Sequence, residues 1–180
     1  MELKDTREIA APRAAVWDAL LSADVLKECV PGCQEMTGSS EEGFEATVVQ
    51  KVGPVKATFK GAVALSDIVE GESLTLSGEG KGGAAGFAKG DAKVSLSDNG
   101  AGTLLTYEVE AKVGGKLAQM GSRIIDSFAK KMADQFFERF QNTVEEEAAP
   151  QETAAPAADI PAEQSGKSEK KGLLKRMFSR

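Results

Sequence analysis

The chain has 180 residues, 41% hydrophobic and 28% charged, with a formal net charge of −6 and no histidine. That is enough for one domain with its own core and too little for two; no apolar run nears the roughly 20 residues that span a bilayer, and residues 1–7 lack the apolar core of a secretion signal. Residues 167–180 hold six bases against Glu169, a net +5, which leaves −11 for the rest of the chain, and so acidic a body excludes nucleic acid as a partner because phosphates need a basic surface.

In chain order, residues 3–10 read as a weakly alternating strand. Pro12 suits a first helical turn, and Val16, Trp17, Leu20 and Leu21 follow at helical spacing, so the pattern predicts a short helix over 12–21. Ser22 or Asp24 caps a second short helix carrying Val25 and Leu26, which Pro31-Gly32 ends. The two cysteines, Cys29 and Cys33, flank that turn. Without histidine they complete no four-ligand zinc site, and their three-residue spacer departs from the two-residue spacer of redox dithiols, so they read as ordinary thiols.

The middle of the chain alternates. Phe44, Ala46, Val48, Gln50 and Val52 form one face of a strand; Gly53-Pro54 marks a turn; Val55, Ala57, Phe59, Gly61, Val63 and Leu65 form the next. Leu74 and Leu76 lie in a third run and Val94 and Leu96 in a fourth. Asp98-Asn99-Gly100 is a turn signal before a strand over 103–113, with Leu105, Tyr107, Val109, Ala111 and Val113 on one face. This predicts a curved antiparallel sheet with one dry side. Leu117, Met120, Gly121, Ile124, Ile125, Phe128, Met132, Phe136 and Phe140 then fall at three- and four-residue spacing, the stripe of a long amphipathic helix. The dry side of the sheet is the only surface large enough to cover it, so the fold class is α+β with the sheet wrapped around a C-terminal helix. The pattern places the domain over residues 1–143, an Ala/Pro/Glu-rich disordered linker over 144–168, with Pro150, Pro156 and Pro161 blocking regular structure, and a basic tail over 169–180.

Four segments resemble the carbon monoxide dehydrogenase G-subunit (CoxG) family, within the START/Bet v 1-like (SRPBCC) superfamily: Val30-Pro31-Gly32-Cys33, residues 52–61 (VGPVKATFKG), residues 82–90 (GGAAGFAKG) and residues 114–123 (GGKLAQMGSR). They occur in the family's order across residues 1–143. The resemblance implies a helix-grip fold with an apolar cavity between sheet and long helix. It further implies a partner, a carbon monoxide dehydrogenase-type molybdenum hydroxylase, and a role in bringing that enzyme to the cytoplasmic membrane.

Residue types weigh the functions. The glycine-rich residues 78–86 lack the helix and Lys-Ser/Thr ending of a phosphate loop and instead read as thinning the sheet or mobilising a hairpin beside the cavity. Only 6% of residues are aromatic, and the strand faces are rich in Ala, Gly and Val; small side chains under a large sheet leave space that a bound apolar molecule relieves. The expected lining is Phe59, Phe87, Tyr107, Met120, Ile124 and Phe128, and Met132 also suits such a wall. Catalysis has little to work with. There is no histidine, and Asp67, Asp91, Asp98 and Asp126 fall at turns or on solvent faces. In the tail, Leu173, Leu174, Met177 and Phe178 share one helical face, with Lys170, Lys171, Lys175, Arg176 and Arg180 around it. That is the pattern of an interfacial helix on an anionic membrane surface, although docking on a partner protein is the rival reading.

The expectation is a non-catalytic adaptor, cytoplasmic and peripheral on the inner face of the cell membrane, with no metal or covalent cofactor. It recruits the molybdenum hydroxylase and carries an apolar membrane molecule, a quinone or lipid. Quinone fits best, because a dehydrogenase needs an electron acceptor and quinones reside in the bilayer. The alternatives are a purely structural membrane recruiter or assembly factor with a filled core, and a cyclase- or isomerase-like enzyme.

Overall fold

The computed structural model describes residues 1–149. Its elements follow as β1 (Glu2–Ile9), α1 (Arg13–Leu20), α2 (Ala23–Cys29), β2 (Cys33–Ser39), β3 (Gly43–Val52), β4 (Val55–Val69), β5 (Ser73–Lys81), β6 (Phe87–Asn99), β7 (Gly102–Gly114) and α3 (Ser122–Ala148). The seven strands form one sheet in the order β1-β7-β6-β5-β4-β3-β2, each pair antiparallel. Hairpins make every neighbour except β1 and β7, because α1 and α2 carry the chain from one sheet edge to the other. The 27-residue α3 lies on the inner side of the sheet, against β1, β3 and α2. This is the α+β helix-grip arrangement.

Local chemistry accounts for the short helices. Pro12 sits at the N-cap of α1 with extended ψ (149°), and its carbonyl accepts from Val16 N–H at 3.1 Å. Ser22, not Asp24, caps α2, its Oγ accepting from Val25 N–H at 3.4 Å. At Gly32 (φ +76°) a Cβ would stand 2.2 Å from Val49 O, so no side chain is tolerated where the α2–β2 turn meets β3. The Gly32 carbonyl accepts from Val49 N–H there (2.9 Å), and the Gln50 amide donates to the Pro31 carbonyl. Cys29 is fully buried and burial pushes its thiol up, while Cys33 Sγ donates to Glu35 O at 3.3 Å; both are free thiols.

Four boundaries differ from the sequence pattern. β2 has no counterpart there, because Met36 is the one large apolar side chain among its seven residues and no apolar alternation can show; a bulge sets Cys33 apart from Glu35. β6 starts at Phe87 and not near Val94, since its first half turns only Ala88, Gly90 and Ala92 inward and offers no apolar signal. Leu117 and Met120 fit the stripe by spacing but precede α3, which begins after Gly121 (φ +88°, ψ 154°). At the other end α3 passes Thr143 and runs to Ala148. Val144 is 1% exposed in the core and the Glu145 carboxylate accepts from Ala10 N–H at 2.8 Å, which ties residues given to the linker into the domain. The remaining linker and the basic tail lie outside the described residues.

The core has a filled half and a thin half. The filled half joins α1 and the C-terminal half of α3 to β1, β6 and β7 through Ile9, Val16, Trp17, Leu105, Tyr107, Phe137, Phe140 and Val144. Its aromatics interlock: Tyr107 stacks on Phe137 at 4.7 Å between ring centroids, and Phe136 meets Phe137 edge-on at 5.0 Å. The thin half holds Val52, Leu117 and Ile125, with Phe59, Val113, Met120 and Phe128 partly buried around them.

Candidate functional site: an apolar cavity between sheet and helix

Where the core thins, the inner faces of β3 to β7 present little bulk. Ala46 and Val48 of β3, Gly61 and Val63 of β4, Gly78 and Gly80 of β5, Ala88 of β6, and Ala111 and Val113 of β7 face Ile125, Phe128 and Met132 on α3. Backbone glycines at Gly78 and Gly80 remove two side chains that a strand would otherwise send inward, and a Cβ at Gly80 would meet nothing within 4 Å. The space left is a cavity of about 420 Å³, within the roughly 300–1,000 Å³ range of small-molecule sites.

The wall is almost wholly hydrocarbon. Of the described side chains bordering it only Gln50 and Glu79 are polar. Gln50 is held by the Pro31 carbonyl, and Glu79 directs its carboxylate to Lys81 on the outer face at 3.8 Å. The Met1 ammonium, also at the wall, donates to the Ala111 carbonyl at 3.0 Å. Among the described residues no acid–base pair addresses the space. Asp91 accepts from Ser77 Oγ at 2.6 Å on the outer face, Asp98 pairs with Arg13 at 3.4 Å, and Asp67 and Asp126 are exposed. Such a wall suits an apolar body, which it would hold by exclusion of water and not by directed hydrogen bonds.

Of the six residues expected to line the cavity, Phe59 and Phe128 do. Tyr107 points to the correct face but lies one segment too far along β7, 3% exposed in the filled half under Phe137. Phe87 begins β6 on the outer face, 44% exposed, with its ring over Gly114. Ile124 is 42% exposed because Ile125 takes the inward position of the first helical turn. Met120 packs beside the thin half of the core, near Gly53, without bordering the cavity. Residues missed from sequence include Val30 and Met36, which come from the α2–β2 turn and the bulged strand, and Ile125, whose spacing to Phe128 and Met132 carried the signal.

Comparison places these features among known proteins. No curated protein matches the chain. A conserved protein from Geobacillus kaustophilus has a similar structure, with a TM-score of 0.76 and 26% identity over 83% of this chain and 98% of that one. A START superfamily protein from Mycobacterium smegmatis (TM-score 0.61, 14% identity, 81% and 97% covered) and a protein from Thermus thermophilus (0.63, 12%, 83% and 100%) share the fold. Residues 6–145 match the family described as the G-subunit of carbon monoxide dehydrogenase (CoxG). With the cavity, the helix-grip sheet and a match over most of its length, the chain belongs to the carbon monoxide dehydrogenase G-subunit (CoxG) family.

Proposed function

We propose that the protein is a non-catalytic adaptor that holds an apolar membrane molecule, a quinone, in this cavity and delivers it to a carbon monoxide dehydrogenase-type molybdenum hydroxylase at the membrane. The cavity carries the reading: about 420 Å³ bounded by Ala, Gly, Val, Ile, Phe and Met, its few polar groups already committed. Such a wall selects hydrocarbon and offers nothing to a polar metabolite. The family name supplies the kind of enzyme partner. The basic amphipathic tail, Lys170-Lys171-Gly172-Leu173-Leu174-Lys175-Arg176-Met177-Phe178-Ser179-Arg180, supplies the membrane contact. Each cation near an anionic leaflet is worth roughly 1 kcal/mol, so the contact is reversible and salt-sensitive.

Mass spectrometry of an organic extract of the purified protein tests the cargo, with uptake of a quinone from micelles as its companion; no co-purified apolar molecule and no uptake would sink it. The tail is tested by pelleting the full chain and a chain ending at Ala149 with anionic vesicles at low salt. Equal pelleting removes the tail from the mechanism.

A further inference from the structure

The hairpin topology gathers three carboxylate-free stretches at one end of the domain. Residues 46–66, 80–90 and 111–125 contain no Asp or Glu. They form the β3–β4 turn, the β5–β6 connection and the passage from β7 into α3, which register places side by side: Lys60 opposite Lys81, Lys81 opposite Phe87, and Phe87 opposite Gly114. Lys51, Lys56 and Lys60 come from the first stretch, Lys81 and Lys89 from the second, and Lys112, Lys116 and Arg123 from the third. All eight are exposed, and among the described residues only Lys81 has a carboxylate within 4 Å, that of Glu79. The turns at the opposite end are acidic, with Glu41, Glu42, Asp67, Glu70, Glu72 and Asp98 and no base in residues 39–43, 67–72 and 97–103. An acidic domain thus carries a basic pole.

Two further observations give the pole a purpose. Lys51 faces Lys56 directly across β3 and β4, and like charges so placed cost stability unless an anion meets them; Lys60 faces Lys81 and Lys89 faces Lys112 as well, with Glu79 of β5 opposite Lys89 and 3.8 Å from Lys81 as a partial counter-charge. Of the four large apolar side chains exposed among the described residues, Phe87 and Ile124 stand at this end, 44% and 42% exposed, where lysines surround them, and Ile68 and Val69 at the acidic end. The cavity reaches this pole, since Val52, Phe59, Val113, Leu117 and Ile125 line it. We propose that the basic pole is a second membrane-contact surface, on which Phe87 and Ile124 enter an anionic leaflet and lay the cavity end of the domain against the lipid. The composition favours lipid over protein: seven of the eight cations are lysine, which protein interfaces deplete in favour of arginine, whereas an anionic leaflet attracts both alike. The use of this contact for loading rests on the cargo reading above; the contact itself does not.

Hydrogen exchange of the full chain, with and without vesicles, reads the pole apart from the tail. Vesicles of phosphatidylglycerol mixed with phosphatidylcholine at 0.1 M salt are expected to slow exchange in residues 82–89 and 114–124, and pure phosphatidylcholine to leave it unchanged. Protection confined to the tail overturns the proposal. So does protection of the pole by an acidic partner oxidoreductase but not by vesicles, which assigns the surface to protein. A variant with Lys56→Gln, Lys89→Gln, Lys116→Gln and Ile124→Ser is expected to lose the protection at the pole and about tenfold or more in vesicle affinity, with its thermal midpoint held. Unchanged affinity and protection count against the pole. Quinone uptake separates the two readings: loss from vesicles with uptake from micelles retained supports the pole, while no uptake by the wild type from either source removes the cargo and leaves the exchange result to decide the surface.

Discussion

Replacing Gly80 with valine puts three carbons into the cavity from β5. The backbone there is outside the positive-φ region, and the new Cβ would have nothing within 4 Å, which leaves the valine methyls open space to enter. Full burial of three carbons is worth about 2.4 kcal/mol at roughly 0.8 kcal/mol each. The far wall of the cavity leaves part of that contact unmade, but removing a strand glycine returns roughly 0.5–1 kcal/mol. The expected net gain is about 2 kcal/mol, or about 4–8 °C in thermal midpoint at this chain length. The assay is thermal unfolding of protein stripped of lipid by refolding from guanidinium, then repeated with quinone. Quinone should stabilise the wild type by about 2.7 kcal/mol at a hundred times its Kd and raise its midpoint accordingly, and should raise that of the variant far less. A stripped Gly80→Val protein less stable than wild type would refute the reasoning, since it would mean that the space is closed in solution and the valine overpacks it.

Three further outcomes separate the two halves of the core and fix the domain's end. Phe140→Ala, at a fully buried position among Phe136 and Phe137, should cost about 3–5 kcal/mol, while Phe128→Ala on the cavity wall should cost far less by chemical denaturation and shift which apolar molecules bind. Asp134 is held below the ordinary aspartate value of 3.8 chiefly by its hydrogen bond with Arg7, whose guanidinium also lies 5.4 Å over the Phe137 ring. Its contribution is present above the unfolded value and lost as pH falls through the lower folded one; the carboxylate is half-exposed, so Asp134→Asn should cost less than about 1 kcal/mol near neutrality, and the gap should close below pH 3.8 in parallel denaturation curves. Ending the chain at Thr143 should lower the midpoint by several degrees relative to ending it at Ala149, because it removes buried Val144 and the Glu145 bond to Ala10.

How much of this was legible follows from the range of each interaction. The strands from Phe44 to Val113 and the stripe from Ile125 to Phe140 were readable because side-chain direction repeats every two or 3.6 residues along one segment. Charge counting found the basic tail for the same reason, since its cations are clustered within one short segment. Alternation also assigns Tyr107 to the inner face, but it carries no position along the strand. Register decides that, setting Tyr107 against the aromatics of α3, where the core is full, and setting Ala111 and Val113 of the same strand where Gly78 and Gly80 leave it hollow. A one-residue phase likewise turns Phe87 outward and makes Ile125, not Ile124, the wall. β2 is hidden because, with Met36 its one large apolar side chain, it offers no apolar alternation to detect. The basic pole lies furthest from view: its lysines are spread over more than sixty residues, and only antiparallel pairing makes Lys60 a neighbour of Lys81 and Lys89 a neighbour of Lys112. Local periodicity and composition determined most of the elements, the fold class and the charge of the tail. Pairing register and the meeting of sheet with helix decided where the domain is empty and which end of it is positive.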